Sequence, residues 1–214
     1  MTPLLIAADF SHNNGVLDHA KIAAAGITVA MIKASQGTAF VDPRFAENRD
    51  GFTAAGVAVI PYHFMTIGDM IAQANHFIAT AGLAVGSCAA WDWETSRQDA
   101  SDAPDAATVD NFILALEQTL ERDALRYHGI FPPHGVTSGL MLTKPWWLPR
   151  YGSHDNGSWW GNPGPTCLFH QYTSRATLDG VTGDCDRSSA YVNSVADVLL
   201  WIKDGTLPQV TDAK

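Results

Sequence analysis

Basic residues and cysteines are both scarce in this chain of 214 residues, which has 13 lysines and arginines against 22 aspartates and glutamates and a formal charge of −9. Phosphate affinity is built from clustered Lys and Arg, so this balance argues against a nucleic-acid or anionic-membrane binder. The three cysteines, Cys88, Cys167 and Cys185, show neither the short paired spacing of a zinc site nor the density of a disulfide framework. Cys88 reads as core filler, while Cys167 and Cys185 are either a bridged pair or two free thiols. No apolar run approaches the roughly 20 residues of a bilayer crossing, so no membrane insertion is expected. The opening residues, Met1 to Asp9, lack a basic start, and their short apolar run ends in a carboxylate, unlike a secretory leader. Synthesis in the cytoplasm without a signal peptide is the expectation. Repeats, low-complexity tracts and charge runs are also missing. With 46% hydrophobic and 16% charged residues, one domain over residues 1–206 with a short tail at 207–214 is expected, as a monomer.

What is present is a rhythm. Short β-branched or apolar runs alternate with helical patterns through the first half, the signature of parallel strands joined by crossover helices. Leu4 to Asp9, Thr28 to Lys33, Val57 to Phe64 and Ser87 to Glu94 read as strands. Between them lie a helix capped by Asp18 and stopped at Gly26, one from Pro43 to Ala55 opened by Asp42, and one from about Asp69 to Ala81. Val109, Phe112, Ile113, Leu116 and Leu120 mark one face of a long helix at 3.6-residue spacing. Tyr127 to Phe131, Trp146 to Arg150 and Thr166 to Thr173 look extended, and Tyr191, Val195, Val198, Leu199 and Ile202 predict a closing amphipathic helix. The expected fold is an α/β, TIM-barrel-like (β/α) barrel of one domain, less regular in its C-terminal part, where the Pro/Gly-dense and tryptophan-rich stretch 132–165 reads as loops.

In such barrels the carboxyl ends of strands carry the chemistry. Here those ends hold Asp9, Lys33, His63, Asp92 and Glu94. Side chains alternate along a strand, so Asp92 and Glu94 share a face and Trp91 and Trp93 take the other. Two crowded carboxylates cannot both ionise easily, and an acid kept protonated near neutral pH can protonate a glycosidic oxygen. An isolated Asp-x-Glu is more often a helix cap or a lysine partner. Asp9, at the end of the first strand, adds a third acid to the same mouth, and a fourth lies in Gly180-Val181-Thr182-Gly183-Asp184-Cys185-Asp186, where spacing leaves Asp184 and Asp186 as alternatives.

Five ordered segments resemble the glycoside hydrolase family 25 muramidases, the Chalaropsis-type lysozymes. They are Asp9 to Gly15, Ile32 to Thr38 with Val41-Asp42-Pro43, Pro61-Tyr62-His63-Phe64, Trp91-Asp92-Trp93-Glu94, and Phe169 to Ser174 followed by Gly180 to Asp186. The chain departs from the family pattern at Asn14, Gln36 and His170, where glutamine, glutamate and tryptophan are usual. In the closing turn the family's aspartate aligns better with Asp186 than with Asp184. Between Thr137 and Pro165 the likeness is carried only by Trp146, Trp147, Arg150, Tyr151 and Gly152.

The resemblance implies hydrolysis of the β-1,4 bond from N-acetylmuramic acid to N-acetylglucosamine in bacterial peptidoglycan. Glu94 would be the general acid, Asp92 would steady an intermediate formed by the sugar's own acetamido group, and Asp9 and Asp186 would position substrate or tune acidity. Glycan strands of the cell wall are then the partner and the wall the place of action, as for a phage or prophage endolysin. Tyr62, Trp93, Trp146, Trp147 and Tyr172 are candidate sugar platforms, with core packing as the competing reading. Trp201 is expected to be structural. Eight histidines raise a zinc reading, but no His-x-x-x-His helix or comparable ligand set is present, so no metal and no cofactor are expected. His63 and Lys33 read as partners of the acids. The competing functions are a wall-binding module without chemistry and a glycosidase acting on another N-acetylated glycan. A binder gains nothing from crowding carboxylates.

Overall fold

The computed structural model describes residues 4–95, 103–128, 144–151, 166–190, 192 and 194–207. Residues 129–131 of one expected strand, most of the 132–165 stretch with Gly152, Tyr191, and the tail from 208 lie outside the described residues.

The strands are β1 (Leu4–Phe10), β2 (Val29–Gln36), β3 (Phe40–Val41), β4 (Ala58–Phe64), β5 (Ala90–Asp92), β6 (Leu125–Tyr127), β7 (Trp146–Pro149), β8 (Cys167–Ala176) and β9 (Cys185–Ala190). The helices are α1 (His19–Ala24), α2 (Phe45–Ala54), α3 (Met70–Ala81), α4 (Ala106–Leu120) and α5 (Val195–Asp204). Pairing runs β1-β9-β8-β7-β6-β5-β4-β2, and β1 also pairs with β2, so these eight strands close into a barrel with β3 as a two-residue flap on β2. Every pair from β1 around through β2 and β4 to β8 is parallel. Of the eight barrel strands only β9 runs the other way, against both β1 and β8. Its first residues therefore lie at the end of the barrel where the other strands finish.

Local signals set the helix starts. Asp18, Asp69, Asp105 and Ser194 each accept a backbone N–H of the first turn, which satisfies donors the helix cannot pair itself. Asp42 acts differently from expectation: α2 begins at Phe45, and the Asp42 carboxylate instead accepts the backbone N–H groups of Arg44 and His12 and meets the His12 ring at 2.8 Å. It thereby ties the loop after β1 to the segment after β3. Gly180, at φ +95° before β9, is required by space as well as conformation, because a Cβ there would lie 2.6 Å from the Asp18 carbonyl.

Two apolar layers result. The helix-facing layer joins outward strand residues such as Ala30, Ile32, Trp91 and Trp93 to Phe52, Phe77 and the predicted face of α4, Val109, Phe112, Ile113, Leu116 and Leu120. The barrel interior holds Ala7, Val29, Met31, Ile60, Tyr62, Ala90, Leu125, Tyr127, Trp147 and Phe169, and α5 contributes Val198 and Trp201 to it. Arg122 fastens α5 in place: its guanidinium donates to the carbonyls of Trp201 and Ile202 and lies over the Trp201 ring. Trp201 is structural, as expected. Leu199 is exposed, so the packed face of α5 is the Val198–Trp201 side. No described helix is long and apolar enough to cross a membrane.

Cys88, Cys167 and Cys185 are all free thiols. The bridged alternative fails on topology: Cys167 opens β8, whereas Cys185 pairs with Ala176 at its far end. That is about 30 Å along the strand, against a Cα separation of under about 7 Å for a disulfide. Burial pushes the thiols up to about 12 at Cys88 and Cys167 and about 11 at Cys185. The unreduced protein should therefore release three thiol equivalents to a chromogenic disulfide when denatured and react slowly when native; one equivalent would mean a bridge after all.

Candidate active site

β1 ends on the interior side with Asp9, and β9 begins there with Asp186, its register partner. Asp92 closes β5 opposite Tyr127 of β6. Glu94 lies two residues further on, half exposed at the mouth. The structure thus brings Asp9, Asp92, Glu94 and Asp186 into one electrostatic cluster, in which each of Asp9 and Asp92 feels the other three acids or a subset that includes Glu94 and Asp186. Of the two late alternatives it places Asp186 beside Asp9 as its register partner, whereas Asp184 is exposed in the turn before β9.

Burial governs the charge state of the two deepest acids. Asp9 is raised well above the usual carboxylate range by desolvation first and then by Asp186. Asp92 is raised by desolvation and then by Glu94, with Lys33 pulling the other way. Asp92 is 6% exposed, and its buried Oδ1 has no hydrogen-bond partner. A buried acceptor without a donor is costly and marks a place for a ligand N–H or O–H.

Lys33 is the cation of this mouth. Its Nζ donates to Gln36 Oε1 at 2.6 Å and lies 4.7 Å from the Phe64 ring and 5.8 Å from that of Phe40. Burial lowers its affinity for a proton, and Asp92, Asp42 and Glu94 oppose that. The flap that carries Phe40 folds back through Gly37 at φ +56°, where a Cβ would lie 2.9 Å from Thr66 Oγ1. Tyr62 stands in the barrel beneath the acids, its hydroxyl held protonated by burial and by Asp9 and Asp92, with its ring edge-on to Trp147.

Several expected members face elsewhere. His63 is fully buried on the outer side of β4, bonded to Ser35 Oγ at 2.8 Å and Gln73 Oε1 at 3.3 Å and stacked 5.1 Å from Phe112. A bulge in β2 between Lys33 and Ser35 turns Ser35 to meet it. Trp93 is 1% exposed in the helix-facing layer, with Nε1 donating to the Pro104 carbonyl. Trp146 lies outside the barrel under the Arg126 guanidinium and beside the His128 ring. Tyr172 is on the same outer side, ring to ring with His170. As sugar platforms these are corrected, because strand alternation points them into packing. Trp147 does face the interior, but it is buried as the floor, with Nε1 bonded to Ser188 Oγ.

Sequence reasoning missed three polar residues. Gln171 Nε2 donates to Asp9 Oδ2 at 2.8 Å, and its Oε1 accepts the hydroxyls of Tyr127 at 2.8 Å and Tyr151 at 2.6 Å. The strand-end rule would have found Gln171 and Tyr127, which share the interior face with the acids. Among the described residues no group of three His, Cys, Asp or Glu side chains is placed to hold a metal ion.

Known proteins share this fold. Residues 8–181 match the family described as Glycosyl hydrolases family 25. The chain is 25% identical over 221 residues to a lysozyme of Streptomyces globisporus, covering 92% of this chain and 71% of that protein. It is 22% identical over 179 residues to an autolytic lysozyme of Clostridium acetobutylicum, covering 83% of this chain and 53% of that protein. It superposes on the crystal structure of a bacterial lysozyme from Streptomyces coelicolor with a TM-score of 0.81 at 25% identity, over 96% of this chain and all of the other.

Two measurements of stability follow from the charge states. Asp92 has a raised folded pKa, so its contribution to stability is full below the unfolded value near 3.8 and is lost as pH rises through the folded one. Asp92→Asn escapes that loss and should raise the thermal midpoint at pH 7 by about 2–4 °C, the effect of about 1 kcal/mol in a domain of this size, with no gain near about pH 3. His63 has the opposite sign, since burial lowers it from 6.5 to about 3. The unfolded chain takes up that proton first, so stability falls as pH drops from 6.5 towards 3, by up to about 1.4 kcal/mol per pH unit. Urea midpoints of His63→Asn should lose this part of the slope; an unchanged slope would remove His63 from the buried neutral role.

Proposed function

Because the chain belongs to the family 25 glycosyl hydrolases, it is a lysozyme-type glycoside hydrolase that acts on the peptidoglycan of the bacterial cell wall, and we propose that Glu94 is its general acid and Asp92 the group that steadies its reaction intermediate. The single observation that carries this division is the contrast between the two carboxyls: Glu94 stands half exposed at the mouth, while Asp92 beside it is buried with Oδ1 unpartnered.

The bond to be cut joins the anomeric carbon of N-acetylmuramic acid to O4 of N-acetylglucosamine. Glu94 donates its proton to that O4 as the bond breaks, so the glucosamine leaves as a neutral alcohol. The acetamido oxygen of the muramic acid attacks the anomeric carbon and forms a positively charged ring. That attack is helped when the acetamido N–H has an acceptor, and Asp92 Oδ1 is a buried acceptor awaiting a donor. Asp92 resists ionisation in the empty mouth; it gives its proton to solvent as substrate is bound, before the bond breaks, and the carboxylate then faces the charge that develops on the ring. Water then adds at the anomeric carbon, giving its proton to Glu94, and the muramic acid is released with retained configuration.

Lys33 supports Asp92. Its charge favours the ionised carboxylate there, and its hydrogen bond to Gln36 fixes where that charge sits. Tyr62 offers a phenol ring among the acids as the surface on which a sugar face can pack, and Tyr151, 54% exposed with its hydroxyl turned into the site, offers another at the rim.

Digestion of purified sacculi by the wild type and by Glu94→Gln, with released fragments read by mass spectrometry, tests this assignment. The wild type should release glycans that end in reducing muramic acid, and Glu94→Gln should lose about 10²–10⁴-fold in rate, the usual contribution of a general acid. Reducing glucosamine, or undiminished release by the variant, would overturn it.

A further inference from the structure

A strand in regular alternation sets residues three apart on opposite faces. Lys33 and Gln36 are three apart in β2, yet Lys33 Nζ donates to Gln36 Oε1 at 2.6 Å. The bulge between Lys33 and Ser35 removes the contradiction. Before it the strand alternates: Ala30 and Ile32 pack outward beneath the helices, while Val29 and Met31 face the barrel interior. Ala34 is outward again. Ser35, whose turn would be inward, is outward as well, bonded to His63 on the outer side of β4. Gln36 is therefore inward, in register with Phe64, whose ring lies 4.7 Å from the same ammonium. One extra residue thus gives Lys33 both an amide acceptor and an aromatic face.

Hydrogen-bond polarity shows what holds Ser35 outward. Gln73 of α3 is clamped by the backbone after β4, since its Oε1 accepts the Thr66 N–H at 3.0 Å and its Nε2 donates to the Thr66 carbonyl at 2.7 Å. Backbone groups have a fixed sense, so it is the amide oxygen that meets His63 Nε2 at 3.3 Å, and that ring nitrogen donates. His63 Nδ1 is then a bare acceptor, and it takes the Ser35 hydroxyl at 2.8 Å. Both residues are fully buried. With Ser35 turned inward, the ring would lose its donor at a site closed to solvent, which is the costly kind of loss. Backbone bonds from Asp42 to the Ala34 carbonyl and from Gly37 to the Phe64 carbonyl bracket the bulge and keep the sheet paired. The side-chain bond fixes the face on which Ser35 lies.

We infer that Ser35 and His63, buried behind the mouth, are positioning residues: their hydrogen bond holds the β2 bulge that turns Gln36 inward, and Gln36 holds the Lys33 ammonium in the mouth. Neither residue lies on the interior face. They act on Lys33 through the backbone of β2 and through one amide. Among the described residues Gln36 Oε1 is the hydrogen-bond acceptor that Lys33 Nζ has, and the rings of Phe64 and Phe40 attract the charge without fixing its direction. A lysine stem has four rotatable bonds and returns its charge to water readily. Loss of the Ser35 hydroxyl should therefore leave the sheet intact and let Gln36 swing away, so that the ammonium leaves its place between the two rings.

The effect on hydrolysis rests on Lys33 supporting Asp92, so one readout is taken without substrate. The chain has five lysines, and the side-chain resonances of Lys33 can be followed in protein labelled with carbon-13 lysine and assigned by their loss in Lys33→Met. In the wild type the protons on Cε should be shifted upfield by the Phe64 and Phe40 rings. Ser35→Ala and Gln36→Met should each move them towards those of an exposed lysine. On sacculi at limiting substrate, each variant should lose about tenfold in rate, as expected for a charge displaced from its partner. Adding Ser35→Ala to Lys33→Met should cost less than about twofold more, because the ammonium it would misplace is already gone. A merely structural Ser35 would multiply its loss in both backgrounds. If the wild type releases no reducing muramic acid, or Lys33→Met cuts as fast as the wild type, the functional reading of the mouth fails and the resonances alone decide the positioning. Should Ser35→Ala not fold, Ser35→Cys, close in shape and a weaker donor, should show the same changes at smaller size. Lys33 resonances unmoved by loss of the Ser35 hydroxyl, or a full multiplicative loss on top of Lys33→Met, would overturn the inference.

Discussion

Removing a carboxylate from water is costly unless its charge is cancelled or fully hydrogen-bonded, and among the described residues this barrel buries three: Asp42, bonded to His12 and Arg44, and, in the acidic cluster of the mouth, Asp9 at 7% and Asp92 at 6% exposure. The construction of the mouth follows from that constraint. Asp9 is met by its register partner Asp186 on one side and by the Gln171 amide on the other. Asp92 has the field of Lys33 and one oxygen left without a partner. The first acid has its partners within the protein, whereas the second keeps one oxygen without a donor. The mouth therefore holds one settled pair and one unsettled acid side by side.

The antiparallel ninth strand makes the settled pair feasible. A barrel of parallel strands brings only strand ends to its mouth, and acids there come from loops or last residues. By running against β1 and β8, β9 presents its first residues instead, so Asp186 pairs in register with Asp9 and is held by sheet hydrogen bonds rather than by a loop. Gly180 allows the turn into β9 to pack against the Asp18 carbonyl at the start of α1, so the position of the fourth acid is tied to the first crossover helix.

The two faces of each strand divide the work between chemistry and stability. Inward residues near the mouth are Asp9, Lys33, Tyr62, Asp92, Tyr127, Gln171 and Asp186, and their outward neighbours Phe10, Ile32, His63, Trp91 and Trp93 pack beneath the helices. His63 illustrates the rule, since it is one residue past Tyr62 and so belongs to the other layer, where Ser35, Gln73 and Phe112 keep it neutral. The acids of the mouth are disfavoured as pH rises and His63 as it falls, so the two layers pull the pH dependence of stability in opposite directions.

Periodicity and composition alone were enough for the helices, because caps such as Asp18, Asp69 and Asp105 and the 3.6-residue stripe of α4 are local signals that burial then reinforces. Alternation was enough as well for the parallel strands, and the resemblance of five ordered motifs for the family. Strand β9 was not legible, since Cys-Asp-Arg-Ser-Ser-Ala is a polar hexapeptide that becomes a strand only because β1 and β8 flank it. The placement of Asp186, and not Asp184, beside Asp9 follows from that pairing, as does the separation of Cys167 from Cys185. The outward turn of His63, Trp93, Trp146 and Tyr172, and the convergence of Gln171 with Tyr127 and Tyr151 on Asp9, likewise depend on register between strands far apart in sequence. Local sequence determines which residues form an element and which alternate together; which of its two faces meets the acids is decided by closure of the barrel, because a one-residue change of register exchanges the faces.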